Sequence, residues 1–365
     1  MSRFHTPKVI ILRHLPRIIS KRAPPNTIQV QCLSTVRELL LKGPLPAKQD
    51  IDTETPFVIR SRFDGDDDDG SHNISISKWF STTNAVPKFT DYLNQHLNLT
   101  LPYELILPSK THFDANPNNN AIKRFILWLS DNQEEFPHKT NSKPPYYHLL
   151  SVLLQQEISN ATKTPTTPNN DNNDVRFLRF DAPLALLSAG LEYNSIFPET
   201  PLTQLYIAQA PLSNLPPALQ ADLLIPSLLS HLGRGDIYGS SIWLGLEPTY
   251  TPWHRDPNPN LFCQLRRKKV MRLMPPNRGR NLFERVQAEL RQQGASWRIR
   301  GDEMMQGAER RALSKAVWES NTGMTETVVR PGDLLYLPQG WWHSVRSSGQ
   351  TCSGALNVSV NWWFR

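Results

Sequence analysis

The chain has 365 residues, 39% of them hydrophobic, enough to bury a full core as one large or two modest domains. Its longest apolar runs, such as Leu149–Leu154 and Leu223–Leu229, are far too short for a membrane-spanning helix, so no membrane partner is expected. Three well-separated cysteines, Cys32, Cys263 and Cys352, exclude a disulfide framework and a cysteine-based zinc site, and fit a reducing compartment.

The net charge of +7 is unevenly placed. Arg3, Lys8, Arg13, Arg17, Lys21, Arg22 and Arg37 all precede the first acidic residue, Glu38. Residues 1–32 thus form a basic, acid-free segment around Val9-Ile-Ile-Leu12, resembling a mitochondrial transit peptide. A disordered basic tail of a nuclear or cytoplasmic protein is the alternative.

Residues 33–200 read as an N-terminal α/β region. Ser34–Leu41, with Val36, Leu39 and Leu40, has the spacing of a short helix, and Pro56–Arg60 that of a strand. Asp64–Gly70 lacks the alternating ligands and closing glutamate of a calcium loop and reads as a solvated acidic turn. Asn116–Asn120 and Asn160–Asp174 are polar, low-complexity insertions with little fixed structure. Tyr147–Glu157, between them, is helix-compatible.

From Phe177 onward the pattern becomes sheet-rich, and residues 201–365 form the expected barrel domain. Leu205–Gln209 and Ser241–Gly245 are short strands, and Leu261–Leu273 alternates as a strand pair or one long bent strand. Leu282, Val286 and Leu290 recur at helical spacing and Ala308–Val317 is helix-like, so 281–319 is a helical insertion. Thr325–Arg330, Leu334–Leu337 and Ala355–Phe364 return to strands, with a turn at Pro331-Gly332. In the last, Asn357, Ser359 and Asn361 share a polar face suited to a ligand cavity. The fold class is therefore mainly β with α additions: a jelly-roll barrel, or double-stranded β-helix, preceded by an α/β part and interrupted by a helical insertion.

His254 and Asp256 stand in Thr251-Pro-Trp-His-Arg-Asp256, and His343 ends Gly332-Asp-Leu-Leu-Tyr-Leu-Pro-Gln-Gly-Trp-Trp-His343. On a strand, positions 254 and 256 project to one face. Two histidines and one carboxylate form the facial triad that holds non-haem Fe(II) and leaves three positions open. Taken singly, His343 reads as a packed histidine and Asp256 as a turn residue; jointly the three read as metal ligands with a catalytic role. A 2-oxo acid chelating such a metal needs a cation for its far carboxylate, and Lys269 is placed to supply it. The cluster Arg266-Arg-Lys-Lys269 also admits a solvated loop or a phosphate-contacting patch.

These motifs resemble the JmjC-type branch of the cupin superfamily, in particular small hydroxylases such as the asparaginyl hydroxylase acting on hypoxia-inducible factor. The resemblance is specific over Leu202–Arg365. It rests on Thr251, His254, Asp256, Asn260 and Lys269, on Val360-Asn361-Trp-Trp-Phe364, and on Leu205-Tyr206-Ile-Ala-Gln209. It implies Fe(II) held by His254, Asp256 and His343, and a 2-oxoglutarate co-substrate paired with Lys269 and assisted by Tyr206 and Thr251. Asn260 and Asn361 would line the co-substrate site. The implied reaction uses O2, converts 2-oxoglutarate to succinate and CO2, and hydroxylates a macromolecule.

A protein side chain is the first expected substrate. RNA is the second, with Arg278, Arg280, Arg285, Arg291, Arg298 and Arg300 as phosphate contacts. Demethylation of an N-methyl group and a non-catalytic cupin binding module complete the alternatives. The C-terminal dimerisation helices of related hydroxylases have no counterpart after Arg365, which leaves the oligomeric state open.

Overall fold

Leu101, Tyr103, Leu105 and Leu107 are buried while the intervening residues of Thr100–Leu107 face outward, the period-two signature of a strand with one covered face. The computed structural model describes residues 10–11, 34–40, 48, 51–60, 74–81, 86–108, 120–130, 144–163, 175–291, 302–320, 323–348 and 354–365. Within it, this strand pairs with Arg176–Pro183 on one side and Leu205–Pro211 on the other. The sheet continues through Ile237–Leu246, Leu356–Phe364, Asn260–Arg266, Leu334–Leu337, Phe57–Ile59 and Arg37–Leu40 to Ile10–Ile11. A second sheet runs Tyr250–Arg255, Trp342–Ser347, Lys269–Met274, Thr325–Val329 and Ser34–Thr35.

After Ile237 the chain passes between these sheets repeatedly. Ile237–Leu246 lies in the large sheet, Tyr250–Arg255 in the small one, Asn260–Arg266 in the large one, and Lys269–Met274 in the small one. Such alternation makes a double-stranded β-helix, the expected jelly roll. Phe262, Leu335 and Leu337 of the large sheet meet Met271, Leu273, Val329 and Val345 of the small one in a shared core, as facing sheets require. The expected strand pair at Leu261–Leu273 is split near Arg267, which takes a left-handed φ of 62°.

The N-terminal part covers the large sheet with helices. Asn120 opens Ala121–Leu129 by accepting from the Ile122 and Lys123 amides, a side-chain cap. Phe125 and Trp128 of that helix pack on Tyr193 of Ala185–Ile196 at 5.3 and 5.6 Å between ring centroids. The expected domain boundary near residue 200 is crossed by sheet pairing, since Thr100–Leu107 lies directly beside Leu205–Pro211. The helix expected at Tyr147–Glu157 is present as Tyr146–Lys163.

Two expectations are corrected. Of the helix expected at Ser34–Leu41, the described residues 34–40 are not helical: Ser34–Thr35 pairs in parallel with Thr325–Glu326, and Arg37–Leu40 with Phe57–Ile59, while Leu41 lies outside the described residues. Tertiary strand partners override the local helical spacing here. Asn160–Lys163 are not part of an irregular insertion but the last residues of the Tyr146–Lys163 helix; residues 164–174 lie outside the described residues. So do Asp64–Gly70, residues 116–119, nearly all of 1–32, and Arg298 and Arg300. Among the described residues no helix is long and apolar enough to cross a membrane.

The helical insertion comprises Pro276–Glu289, Asp302–Met305 and Gly307–Trp318. It begins earlier than its apolar spacing indicates because Pro276 occupies the first turn, where a missing N–H costs nothing. Leu282, Phe283, Val286, Leu313 and Val317 pack on Trp253, Met274 and Trp342. The approach is closest at Gly279, where any Cβ would overlap the Trp342 side chain. Trp253 Nε1 donates to the Gly279 carbonyl at 3.4 Å. The insertion thus braces the residues next to two of the candidate ligands.

Candidate metal centre

His254 sits near the end of Tyr250–Arg255 and His343 near the start of Trp342–Ser347, and the two are direct cross-strand partners. The register shifts between Thr251 and His254. Pro252 falls within this irregularity, where a ladder N–H is not needed. The imidazole centroids lie 4.1 Å apart. Asp256 follows one residue after the strand and completes the group: His254 Nε2 is 3.9 Å from Asp256 Oδ1 and His343 Nε2 is 3.8 Å from Asp256 Oδ2. One ligand atom from each residue falls within 4.8 Å of the others.

The outer nitrogens fix the tautomers. His254 Nδ1 lies 2.8 Å from the Pro252 carbonyl and His343 Nδ1 3.2 Å from the Trp341 carbonyl. A carbonyl only accepts, so each Nδ1 carries a proton, and each Nε2 is the nitrogen turned toward Asp256. Burial, reinforced by the neighbouring His343, pushes the His254 pKa down to about 4 and keeps that ring neutral. Burial opposes ionisation of Asp256. Electrostatic coupling to the neighbouring His343 and His254, with hydrogen bonds from Trp363 and Asn260, nevertheless holds its pKa below the ordinary carboxylate value.

A cavity of about 290 Å³ opens beside these three residues, walled in part by Tyr206, Trp243, Thr251, Phe262, Lys269 and Asn361. Lys269 projects into it from the first position of Lys269–Met274 and is only 3% exposed. Its ammonium donates to Ser359 Oγ at 2.8 Å and to Tyr206 Oη at 3.2 Å. Burial pushes its pKa down to about 7, with Glu247 acting in the opposite direction. Burial raises the Tyr206 pKa well above its ordinary value, so this phenol stays protonated. The pocket therefore holds one buried cation and two hydroxyls, a set that suits a carboxylate.

The candidate metal and co-substrate residues reach this region, whereas none of the described arginines considered as phosphate contacts lines it. His254, Asp256 and His343 converge, and Lys269, Tyr206, Thr251, Asn260 and Asn361 line the same cavity. Thr251 forms part of the wall, and its carbonyl accepts from Ser344 Oγ at 2.7 Å. Asn260 and Asn361 do more than line the cavity. Asn361 Nδ2 donates to Asn260 Oδ1 at 3.1 Å, and Asn260 Nδ2 donates to Asp256 Oδ2 at 2.9 Å. Sequence reading overlooked Ser359 as a lysine partner, Trp363 as a donor to Asp256, and Trp243 altogether. Period-two alternation through Asn357, Ser359, Asn361 and Trp363 carried the signal for the first two.

Two imidazole nitrogens, one carboxylate and no thiolate suit a divalent first-row cation such as Fe(II), with coordination positions left facing the cavity. A second space of about 750 Å³ lies beside it. Arg179, Gln209, Asp256, Pro257 and Trp363 border both.

With this geometry in place, comparison with known proteins is decisive. A model of the cupin-like domain matches residues 107–365. The chain belongs to the cupin-like domain family. This cupin-like chain is 30% identical over 158 residues to JmjC domain-containing protein D of Dictyostelium discoideum, covering 40% of this chain and 33% of that protein. It is 27% identical over 182 residues to lysine-specific demethylase JMJ30 of Arabidopsis thaliana, covering 50% and 38%. Against the human bifunctional peptidase and (3S)-lysyl hydroxylase JMJD7 the identity is 26% over 289 residues, covering 73% and 84%. The cupin-like chain spans 33% and 38% of the length of the first two relatives. The JmjC-type cupin expected from the motifs is thereby established, and these relatives do not single out an asparaginyl-hydroxylase branch.

Proposed function

We propose that this chain is an Fe(II)- and 2-oxoglutarate-dependent dioxygenase that hydroxylates a macromolecular substrate, a protein side chain in the first place. The observation that carries this reading is the convergence of His254, Asp256 and His343 on a cavity that the buried Lys269 also lines. A metal site alone would serve many cupins; a metal site facing a buried cation serves a chelating dicarboxylate.

Bound Fe(II), with electrons from decarboxylation of 2-oxoglutarate, supplies the activation of O2. The chain's own residues do the rest. His254, Asp256 and His343 would hold the cation. Lys269, Ser359 and Tyr206 receive the distal carboxylate in a charge-assisted set of hydrogen bonds, with Thr251 on the adjoining wall. Phe262, Met271, Leu337 and Val345 give part of the cavity an apolar lining. A larger neighbouring space shares Arg179, Gln209, Asp256, Pro257 and Trp363 with the cavity, and its size suits a segment of a larger molecule. The lysyl hydroxylase named among the relatives aligns over most of this chain, which supports a protein substrate. The demethylase names favour an N-methylated side chain as the second reading.

Succinate release from 2-oxoglutarate tests the proposal. The wild-type chain with Fe(II) forms succinate, and His254→Ala does not. Equal turnover by both removes the catalytic reading and leaves a binding module. Two further proposals stand beside it. The exposed Arg278, Arg280, Arg285 and Arg291 make RNA an alternative substrate, although Glu284 and Glu289 interrupt the patch; salt-dependent RNA retention distinguishes it. The acid-free N-terminal segment favours mitochondrial targeting, which a C-terminal fluorescent tag tests.

A further inference from the structure

Asp256 stands at the end of a hydrogen-bond chain that starts at a residue bonded to no ligand. Trp243 Nε1 donates to Asn361 Oδ1 at 2.8 Å, Asn361 Nδ2 to Asn260 Oδ1 at 3.1 Å, and Asn260 Nδ2 to Asp256 Oδ2 at 2.9 Å. Trp363 Nε1 donates to the same Asp256 Oδ2, also at 2.9 Å. The four links join three separate strands and the turn after Tyr250–Arg255, and the two asparagines are buried.

The chain has a direction. An indole N–H only donates, whereas a carboxamide has one accepting and one donating end. Trp243 therefore holds the oxygen of Asn361 toward itself and turns the amide nitrogen toward Asn260. Asn260 is turned in the same sense, and its nitrogen meets the carboxylate. A flip of either amide would set donor against donor in a site with little water to relieve it. Two converging N–H groups then occupy Asp256 Oδ2, while Oδ1 receives no hydrogen bond from the described residues.

We infer that Trp243 and Trp363 are positioning residues of the metal centre, which lock the orientation of the Asp256 carboxylate beside His254 and His343. The inference rests on the metal reading of the site. Trp243 also packs on Tyr206 at 5.9 Å between ring centroids, so the indole that sets the ligand borders the pocket of Lys269 as well.

Titration of the full-length chain with Mn(II) alone, followed by electron paramagnetic resonance, tests this without turnover. Trp243→Phe keeps an aromatic but smaller wall and deletes the N–H. It is expected to weaken Mn(II) binding about tenfold, the lower end of the effect of losing a partner of a ligating group. Trp363→Phe, which removes a direct donor, weakens it at least as much. Asn361→Asp, which keeps the shape but cannot donate to Asn260, provides an independent variant should an indole substitution impair folding. Thermal midpoints of the metal-free variants separate a positioning effect from a general loss of structure. Wild-type affinity in folded Trp243→Phe and Asn361→Asp overturns the relay and leaves the metal reading intact. A wild-type chain that takes up no Mn(II) overturns the metal reading and the relay together.

Discussion

The Lys269 ammonium lies 2.8 Å from Ser359 Oγ, bringing together residues 90 apart in sequence at the inner end of the barrel. No ion pair joins Lys269 to a carboxylate among the described residues, so the pocket has a place for an incoming one. Lys269→Ala is expected to raise the dissociation constant of 2-oxoglutarate about a hundredfold, equivalent to ~3 kcal/mol for losing one partner of a buried charged pair. Mn(II) affinity should stay near wild type. Calorimetry on the Mn(II)-loaded chain measures the first quantity, and unchanged co-substrate binding would remove Lys269 from the site.

Protonation of the same lysine gives a pH dependence of known sign. Burial depresses its pKa from 10.5 to about 7 in the co-substrate-free protein. As pH rises through 7 the amine loses its proton, and the partner for the distal carboxylate with it. Affinity for 2-oxoglutarate should therefore fall above neutrality, approaching roughly tenfold per pH unit. Binding there should take up a proton, visible as a calorimetric heat that depends on the buffer's ionisation enthalpy. Folding shows the opposite trend: the unfolded chain holds this proton up to 10.5, so the lysine's destabilising effect is full below 7 and fades as pH climbs through that window. Co-substrate affinity independent of pH from about one unit below this transition to about two units above it would contradict the assignment.

The metal ligands were legible because period-two projection places positions 254 and 256 together and leaves a third ligand to a distant strand end. Their cross-strand pairing was not, since register between Tyr250–Arg255 and Trp342–Ser347 depends on a local irregularity that spacing does not reveal. Thr100–Leu107 escaped notice because Pro102 interrupts an otherwise strand-like run. Ala185–Ile196 escaped for another reason: Leu186, Leu187, Ala189 and Leu191 are all buried, and a helix covered on most sides has no clear amphipathic period. Trp243 could be found only in three dimensions, because its role is a hydrogen bond to Asn361 on the neighbouring strand.

Gly279 offers a test of the brace behind the histidines. In an exposed helix interior, glycine to alanine stabilises by about 1 kcal/mol. Here the added methyl meets the Trp342 side chain, so Gly279→Ala should instead destabilise by roughly 1–3 kcal/mol, the usual effect of overpacking. Urea denaturation of the metal-free chain reads the sign directly. A stabilised variant would show that the helix Pro276–Glu289 is not seated on Trp342 as described.

Anaerobic equilibrium dialysis of Fe(II) against the wild-type chain and His343→Ala bears most directly on the central claim, that residues from two separate strands and the turn after the first of them hold one cation. The wild-type chain should retain one Fe(II) per molecule, and His343→Ala should lose most of its affinity while remaining folded. Equal retention of iron by the two proteins would contradict the account.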